Sequence, residues 1–317
     1  MAALPLLALL APLHVPAATA ASAVGWVYFA DPEPPDWERV DFEALDVLVV
    51  GPLGLQHCGD TPELQRSFPW RPRFHCGGFG VADRYQESFL GLLETARRKN
   101  SRLEILAAQW YGSDVMAVAD WGGSLSALSR QHLRGYAQEV RAFLEEWNLQ
   151  GYVVDFEGTN VVRWYTELLV ALASAFRASA GDRRLQLGVS PSTARDLKGT
   201  NSLTDYVLVQ SYAPKVDLDD YLAIFDPHKV YVGLCPEGCW NGTAEAACGE
   251  VLAKGLGGMH VWRLNNGNAT RMAEENRVMR QAKQLLQEPE RGFFDFSESS
   301  APRCELRRKA CRAARIF

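Results

Sequence analysis

The stretch Trp147 to Gly158, WNLQGYVVDFEG, carries the residue types and spacing best suited to chemistry. An apolar run beginning at Gly151 delivers Asp155 and Glu157 at its far end. In an extended chain side chains alternate between faces, so two acids two positions apart share one face. Such a pair can divide labour, one carboxyl protonating a leaving group while the other stays charged. The structural alternative is a polar strand end that caps the next helix.

Something must hold those acids in place, and the rest of the chain supplies a repeating frame. Short β-rich runs occur at Gly25–Phe29, Leu45–Val50, Leu103–Gln109, Gly151–Phe156, Leu185–Ser190, Tyr206–Tyr212, Val230–Leu234 and Met259–Leu264. Many are continuous apolar runs, as expected of parallel strands covered on both faces. Between them lie segments of helical period. Leu133 to Trp147 shows it best, with Leu133, Tyr136, Ala137, Val140, Phe143, Leu144 and Trp147 forming one stripe. Glu87–Lys99, Val162–Ser179, Ala244–Lys254 and Arg271–Leu286 read the same way. This alternation predicts an α/β chain folded as a single closed (β/α)8 TIM barrel, with an elaborated loop after strand 2 (Leu53–Asp83) and a basic C-terminal tail. An open doubly wound sheet is the rival, but no Gly-rich phosphate loop follows the first run. In a barrel, Asp155 and Glu157 fall at the C-terminal strand end, where active sites are built.

At this point a resemblance becomes visible. Gln150-Gly151-Tyr152-Val153-Val154-Asp155-Phe156-Glu157 resembles the fourth-strand signature of glycoside hydrolase family 18, D-G-x-D-x-D-x-E, the family of chitinases and endo-β-N-acetylglucosaminidases. Gly151, Asp155 and Glu157 match, whereas Gln150 and Val153 stand where the signature has acids. Val207-Leu208-Val209-Gln210-Ser211-Tyr212 is similar to the family's sixth strand, Val230–Leu234 to its seventh and Gly257–Trp262 to its eighth. The third-strand Ser-x-Gly-Gly is replaced by a segment containing Gln109 and Trp110.

The resemblance implies substrate-assisted, retaining hydrolysis of β-linked N-acetylglucosamine, in which the sugar's own acetamide is the nucleophile, an exception to the two-carboxylate scheme. Glu157 would be the general acid and then base. Asp155 would orient the acetamide N–H, and Tyr212 would hydrogen-bond its carbonyl. Trp262 would form the apolar floor under the sugar. Gln210, Trp26, Tyr28, Gln109 and Trp110 complete the implied substrate-binding set. No cofactor and no metal is implied, and the partner is a carbohydrate containing N-acetylglucosamine bound by a monomer. With Val153 apolar, Asp155 must point towards Glu157 or find another donor, because an unpaired buried charge is costly. The alternatives are a catalytically inactive chitinase-like lectin on the same barrel and a retaining glycosidase without the acetamide requirement.

Composition sets the outer bounds. The chain has 317 residues, 47% hydrophobic and 22% charged, which excludes a disordered chain or a small disulfide scaffold. A net charge of −5 argues against a nucleic-acid binder. The charge is uneven: the segment 301–317 holds six bases against the single acid Glu305. We therefore expect a catalytic domain over 24–287 and a basic tail over 288–317.

Residues 1–23 read as a secretory signal, with an apolar core and small-residue cleavage sites at Ala18-Thr19-Ala20 and Ala21-Ser22-Ala23. No later run is long enough to span a membrane, so the product is expected to be secreted or lumenal. The sequons Asn241-Gly242-Thr243 and Asn268-Ala269-Thr270 agree with that compartment. So does pairing among the seven cysteines: Cys58 with Cys76, then Cys239 with Cys235 or Cys248. His57-Cys58 and His75-Cys76 also offer four zinc-type ligands; an oxidising compartment favours the disulfide.

Overall fold

The computed structural model describes residues 21–29, 36–57, 75–81, 83–111, 132–156, 165–178, 184–212, 216–236, 243–265 and 267–288. Its frame is a closed barrel of eight parallel strands: β1 (Ser22–Tyr28), β2 (Val47–Gly51), β5 (Glu104–Tyr111), β6 (Gly151–Phe156), β7 (Gln186–Pro191), β8 (Tyr206–Val209), β9 (Val230–Leu234) and β10 (Gly258–Val261). Each strand pairs with its sequence neighbours around the ring, and β10 closes onto β1 with Ser22 opposite Gly258. All eight expected strands are present. The barrel thus starts at Ser22, two residues before the expected boundary.

Six helices are described: α1 (Gln86–Lys99), α2 (Leu133–Glu146), α3 (Tyr165–Arg177), the short α4 (Leu218–Leu222), α5 (Ala244–Lys254) and α6 (Ala269–Gln287). α4 has too few residues to show a helical period and was not expected. The caps match their residue types. Thr243 accepts from Ala246 N at the start of α5, and Asn268 from Thr270 N and Arg271 N at the start of α6.

Strand alternation sorts the core into two layers. Val24, Trp26, Val47, Val49, Leu106, Ala108, Val153, Leu208 and Tyr231 fill the barrel interior. Residues between them, such as Val27, Leu48, Ile105, Val154 and Val207, pack outward against the helices. The strands are apolar on both faces because both faces are covered.

The excursion after β2 is more than a loop. It contains an antiparallel ribbon of β3 (Gly54–His57) and β4 (His75–Gly80), which sets His57 opposite His75. Cys58 lies outside the described residues, as does the Cys76 side chain, so neither the expected disulfide nor the zinc alternative is assessed by the structure. Cys235, at the end of β9, is disulfide-bonded, and Cys248 is buried on α5; Cys239 lies outside the described residues. Among the described residues no helix is long and apolar enough to cross a membrane.

Candidate functional site

Asp155 is the last inward-facing residue of β6, two positions above Val153, and is 2% exposed. A carboxylate so buried needs donors. One comes from the far side of β7: Gln210 Nε2 donates to Asp155 Oδ1 at 3.1 Å. The same amide lies 3.3 Å from Ser190 Oγ and 3.4 Å from the Ser190 carbonyl. Ser190 is the residue directly opposite Asp155 on β7. The strand ends of β6, β7 and β8 therefore contribute one buried polar cluster, Asp155–Gln210–Ser190.

Beyond it runs a chain of rings. Tyr212 meets His260 edge-on with centroids 6.2 Å apart, His260 lies 6.4 Å from Trp26, and Trp26 meets Trp262 edge-on at 5.5 Å. Tyr212 and Trp262 are half-buried, whereas Trp26 and His260 are buried. The chain thus presents its two outer rings to solvent and buries the middle two.

The path of β8 explains how Tyr212 reaches this place. The expected strand ran to Tyr212, but it ends at Val209. The Val209 carbonyl is turned inward, where Ser211 N donates to it at 2.7 Å and His260 Nε2 at 2.9 Å. Ser211 Oγ then pins the turn to β9, accepting from Gly233 N at 2.8 Å. Gly233 leaves the space that His260 occupies: a Cβ there would stand 2.5 Å from the Val209 carbonyl oxygen and 2.9 Å from His260 Nε2. Burial pushes the His260 imidazole down to about 4, although the hydrogen bond to Val209 opposes the shift. The ring is therefore neutral at ordinary pH, with its proton on Nε2.

Of the site residues read from the sequence, the barrel brings together Asp155, Gln210, Tyr212, Trp26 and Trp262. Tyr28 stands apart. Its ring is half-buried at the β1 terminus, 5.7 Å from the Arg263 guanidinium, and its backbone exchanges hydrogen bonds with the Asn265 side chain. Gln109 is a correction. It was expected to line the sugar site, yet its side chain faces outward, where the Tyr136 and Tyr152 hydroxyls donate to its carbonyl oxygen. Alternation along β5 dictates this, since Ala108 is inward. Trp110 is opposite Asp155 in the β5–β6 register, but its side chain lies outside the described residues. Glu157 lies outside them too.

Sequence reasoning passed over His260 and Ser190. Both carried a signal: His260 shares the inward period of Gly258 and Trp262, and Ser190 that of Gly188.

No family model and no curated protein matches this sequence. Solved structures do. A plant class V chitinase mutant from Cycas revoluta, in complex with (GlcNAc)3, aligns at a TM-score of 0.58 with 13% identity, over 84% of this chain and 100% of that one. A chitinase-like agglutinin from Robinia pseudoacacia aligns at 0.61 with 11% identity, over 82% and 100%. A glycoside hydrolase family 18 N-acetylglucosaminidase from Paenibacillus barengoltzii aligns at 0.53 with 13% identity, over 83% and 99%. The fold is that of the family 18 chitinases and chitinase-like proteins.

Against the family 18 signature, the two departures now have places. Gln150 sits just below β6, where its Oε1 accepts from Ile105 N at 2.6 Å and its amide donates to the Asn148 carbonyl at 3.1 Å. It ties β6 to β5 as a neutral linker. Val153 is fully buried in the interior apolar cluster. It offers Asp155 no proton from below; Gln210 donates from the side instead.

Proposed function

We propose that the barrel mouth binds N-acetylglucosamine-containing oligosaccharides and hydrolyses their β-linkages by the substrate-assisted, retaining route. The observation that carries this reading is the buried Asp155 carboxylate, hydrogen-bonded by Gln210 and neighboured along the mouth by the half-buried Tyr212 and Trp262. An anion fixed at a strand end can accept the acetamide N–H and balance the positive charge that develops on the ring. Tyr212 offers a hydroxyl to the acetamide carbonyl, and Trp262 offers an apolar face to the C–H side of a pyranose. Glu157, two residues beyond Asp155, is assigned the proton transfer to the glycosidic oxygen. Chitin oligosaccharides and the N-glycan core are the substrate classes. We place the activity in the secretory pathway, on the leader-like segment 1–23 and the two sequons.

The test is release of a fluorophore from N-acetylglucosamine di- and trisaccharide glycosides. Wild type should cleave, and Glu157→Gln should lose turnover by about 10³-fold or more while keeping affinity. An oxazoline-type sugar analogue should inhibit tightly. Sugar binding without turnover is the second reading, favoured by the apolar Val153 at a position where the signature has an acid. Binding by wild type with no cleavage across pH 3–8 would establish it.

A further inference from the structure

Among the described residues, the buried Trp26 Nε1 and His260 Nδ1 in the barrel interior have no hydrogen-bond partner. They belong to adjacent strands. Val24 is opposite His260 in the β1–β10 register, so Trp26 lies one inward position above it. The ring centroids are 6.4 Å apart and the planes are tilted by 56°. Trp26 is 3% exposed and His260 fully buried, so bulk water does not satisfy either atom.

Their chemistry is complementary. An indole Nε1–H is a donor only. His260 has committed its Nε2 proton to the Val209 carbonyl at 2.9 Å, which leaves Nδ1 as an acceptor only. An unsatisfied buried donor or acceptor costs about 1–3 kcal/mol, and native interiors rarely leave two side by side. One group satisfies both: an oxygen that accepts from the indole and donates to the imidazole. With about 2.9 Å on each side, such an oxygen spans ring systems this far apart. A carboxylate has no proton for Nδ1, an ammonium has no lone pair for the indole, and a methyl group has neither.

We propose that Trp26 and His260 form a subsite for a single neutral hydroxyl, occupied by a buried water or by a hydroxyl of the bound sugar. The ring chain places it next to the half-buried Trp262 and Tyr212. Occupation by water is independent of the proposed function, whereas occupation by a sugar hydroxyl rests on it.

The experiment is nitrogen-15 NMR of the full chain labelled at histidine, recorded without sugar and with saturating N-acetylglucosamine trisaccharide. The signal of His260 is assigned by its absence from the spectrum of His260→Gln. An Nδ1 shifted upfield by hydrogen bonding in the sugar-free protein, and returned to the unbonded position in Trp26→Phe, supports the subsite with water as its occupant. An Nδ1 that becomes hydrogen-bonded only when trisaccharide is added supports it with the sugar as occupant. An Nδ1 in the unbonded position under both conditions, or a bonded one indifferent to Trp26→Phe, overturns it. If Trp26→Phe does not fold, tryptophan labelling of wild type replaces it: an indole N–H of Trp26 without a hydrogen bond in either condition overturns the proposal, and a bonded one supports it. Failure of the protein to bind trisaccharide at all would sink the sugar-directed function while leaving the water-filled subsite standing.

Discussion

A buried carboxylate is expensive unless something donates to it, and at Asp155 an identified donor is a neutral amide rather than a shared proton. Gln210→Ala removes that amide and should cost about 1–3 kcal/mol, read as a lower urea midpoint with unchanged slope. Gln210→Glu should cost more, because two carboxyl groups about 3 Å apart cannot both ionise. Equal losses for the two variants would show that the amide is dispensable. His260 makes a second prediction. Its folded value of about 4 lies below the 6.5 of an unfolded histidine. Between those values the unfolded chain holds a proton that the native chain refuses, so stability falls as pH drops from about 6.5 to about 4. The full loss is about 3 kcal/mol. Urea midpoints measured across that window for wild type, minus those of His260→Gln, isolate the contribution; parallel curves would show that the imidazole titrates normally in the fold.

At the scale of elements, the strands were legible because short apolar runs recur along the chain with helical stripes between several of them, the pattern expected of covered parallel strands. Their ends were less legible. Nothing in Val207–Tyr212 announces that the Val209 carbonyl turns to meet Ser211 N and His260 Nε2, since His260 is remote in sequence and only closure of the ring brings it near. The ribbon of β3 and β4 was hidden for the same reason: its partners are separated by a long insertion and neither strand has a clean alternation. Gln109 was misread because the motif comparison named its position but not its parity. Closure also explains a glycine. Gly258 has φ of +150°, and a Cβ on it would lie 1.9 Å from the Ser22 carbonyl oxygen. Gly258→Ala must therefore push β1 and β10 apart, and we expect a loss on the order of 3 kcal/mol or more, seen as a sharply lowered melting temperature. The same seam bears on the proposed leader. Ser22 and Ala23 are strand residues paired with Gly258 and Met259, so cleavage after Ala20 preserves the seam and cleavage after Ala23 removes its first two pairs. If the leader-like segment is removed as proposed, N-terminal mass spectrometry of the mature product should find Ala21 first; a product beginning at Val24 would contradict this.

Considered whole, the described residues form a ring whose C-terminal described helix fastens its first half. α6 reaches back across the chain: Asn276 Oδ1 accepts from Asp41 N at 2.7 Å, Arg280 Nη1 pairs with Asp41 at 2.9 Å, and Lys283 pairs with Asp46. The exposed ion pairs are worth little on their own. Burial of Met272, Val278, Met279, Ala282 and Leu285 against the strands stabilises the seam far more, since a large apolar side chain contributes about 1.5–3 kcal/mol when fully buried. Parallel strands closed into a barrel have no spare edge, so the ring cannot form with its final seam uncovered. Truncation after Asn268, which removes α6, should therefore abolish cooperative unfolding and expose apolar surface to a hydrophobic dye. Truncation after Glu288, the C-terminal cap of α6, removes only the basic segment and should leave the melting temperature within about 2 °C of wild type. A larger drop in the second variant would mean that the tail, too, is a structural part of the barrel, and the boundary drawn between domain and tail near residue 288 would have to move.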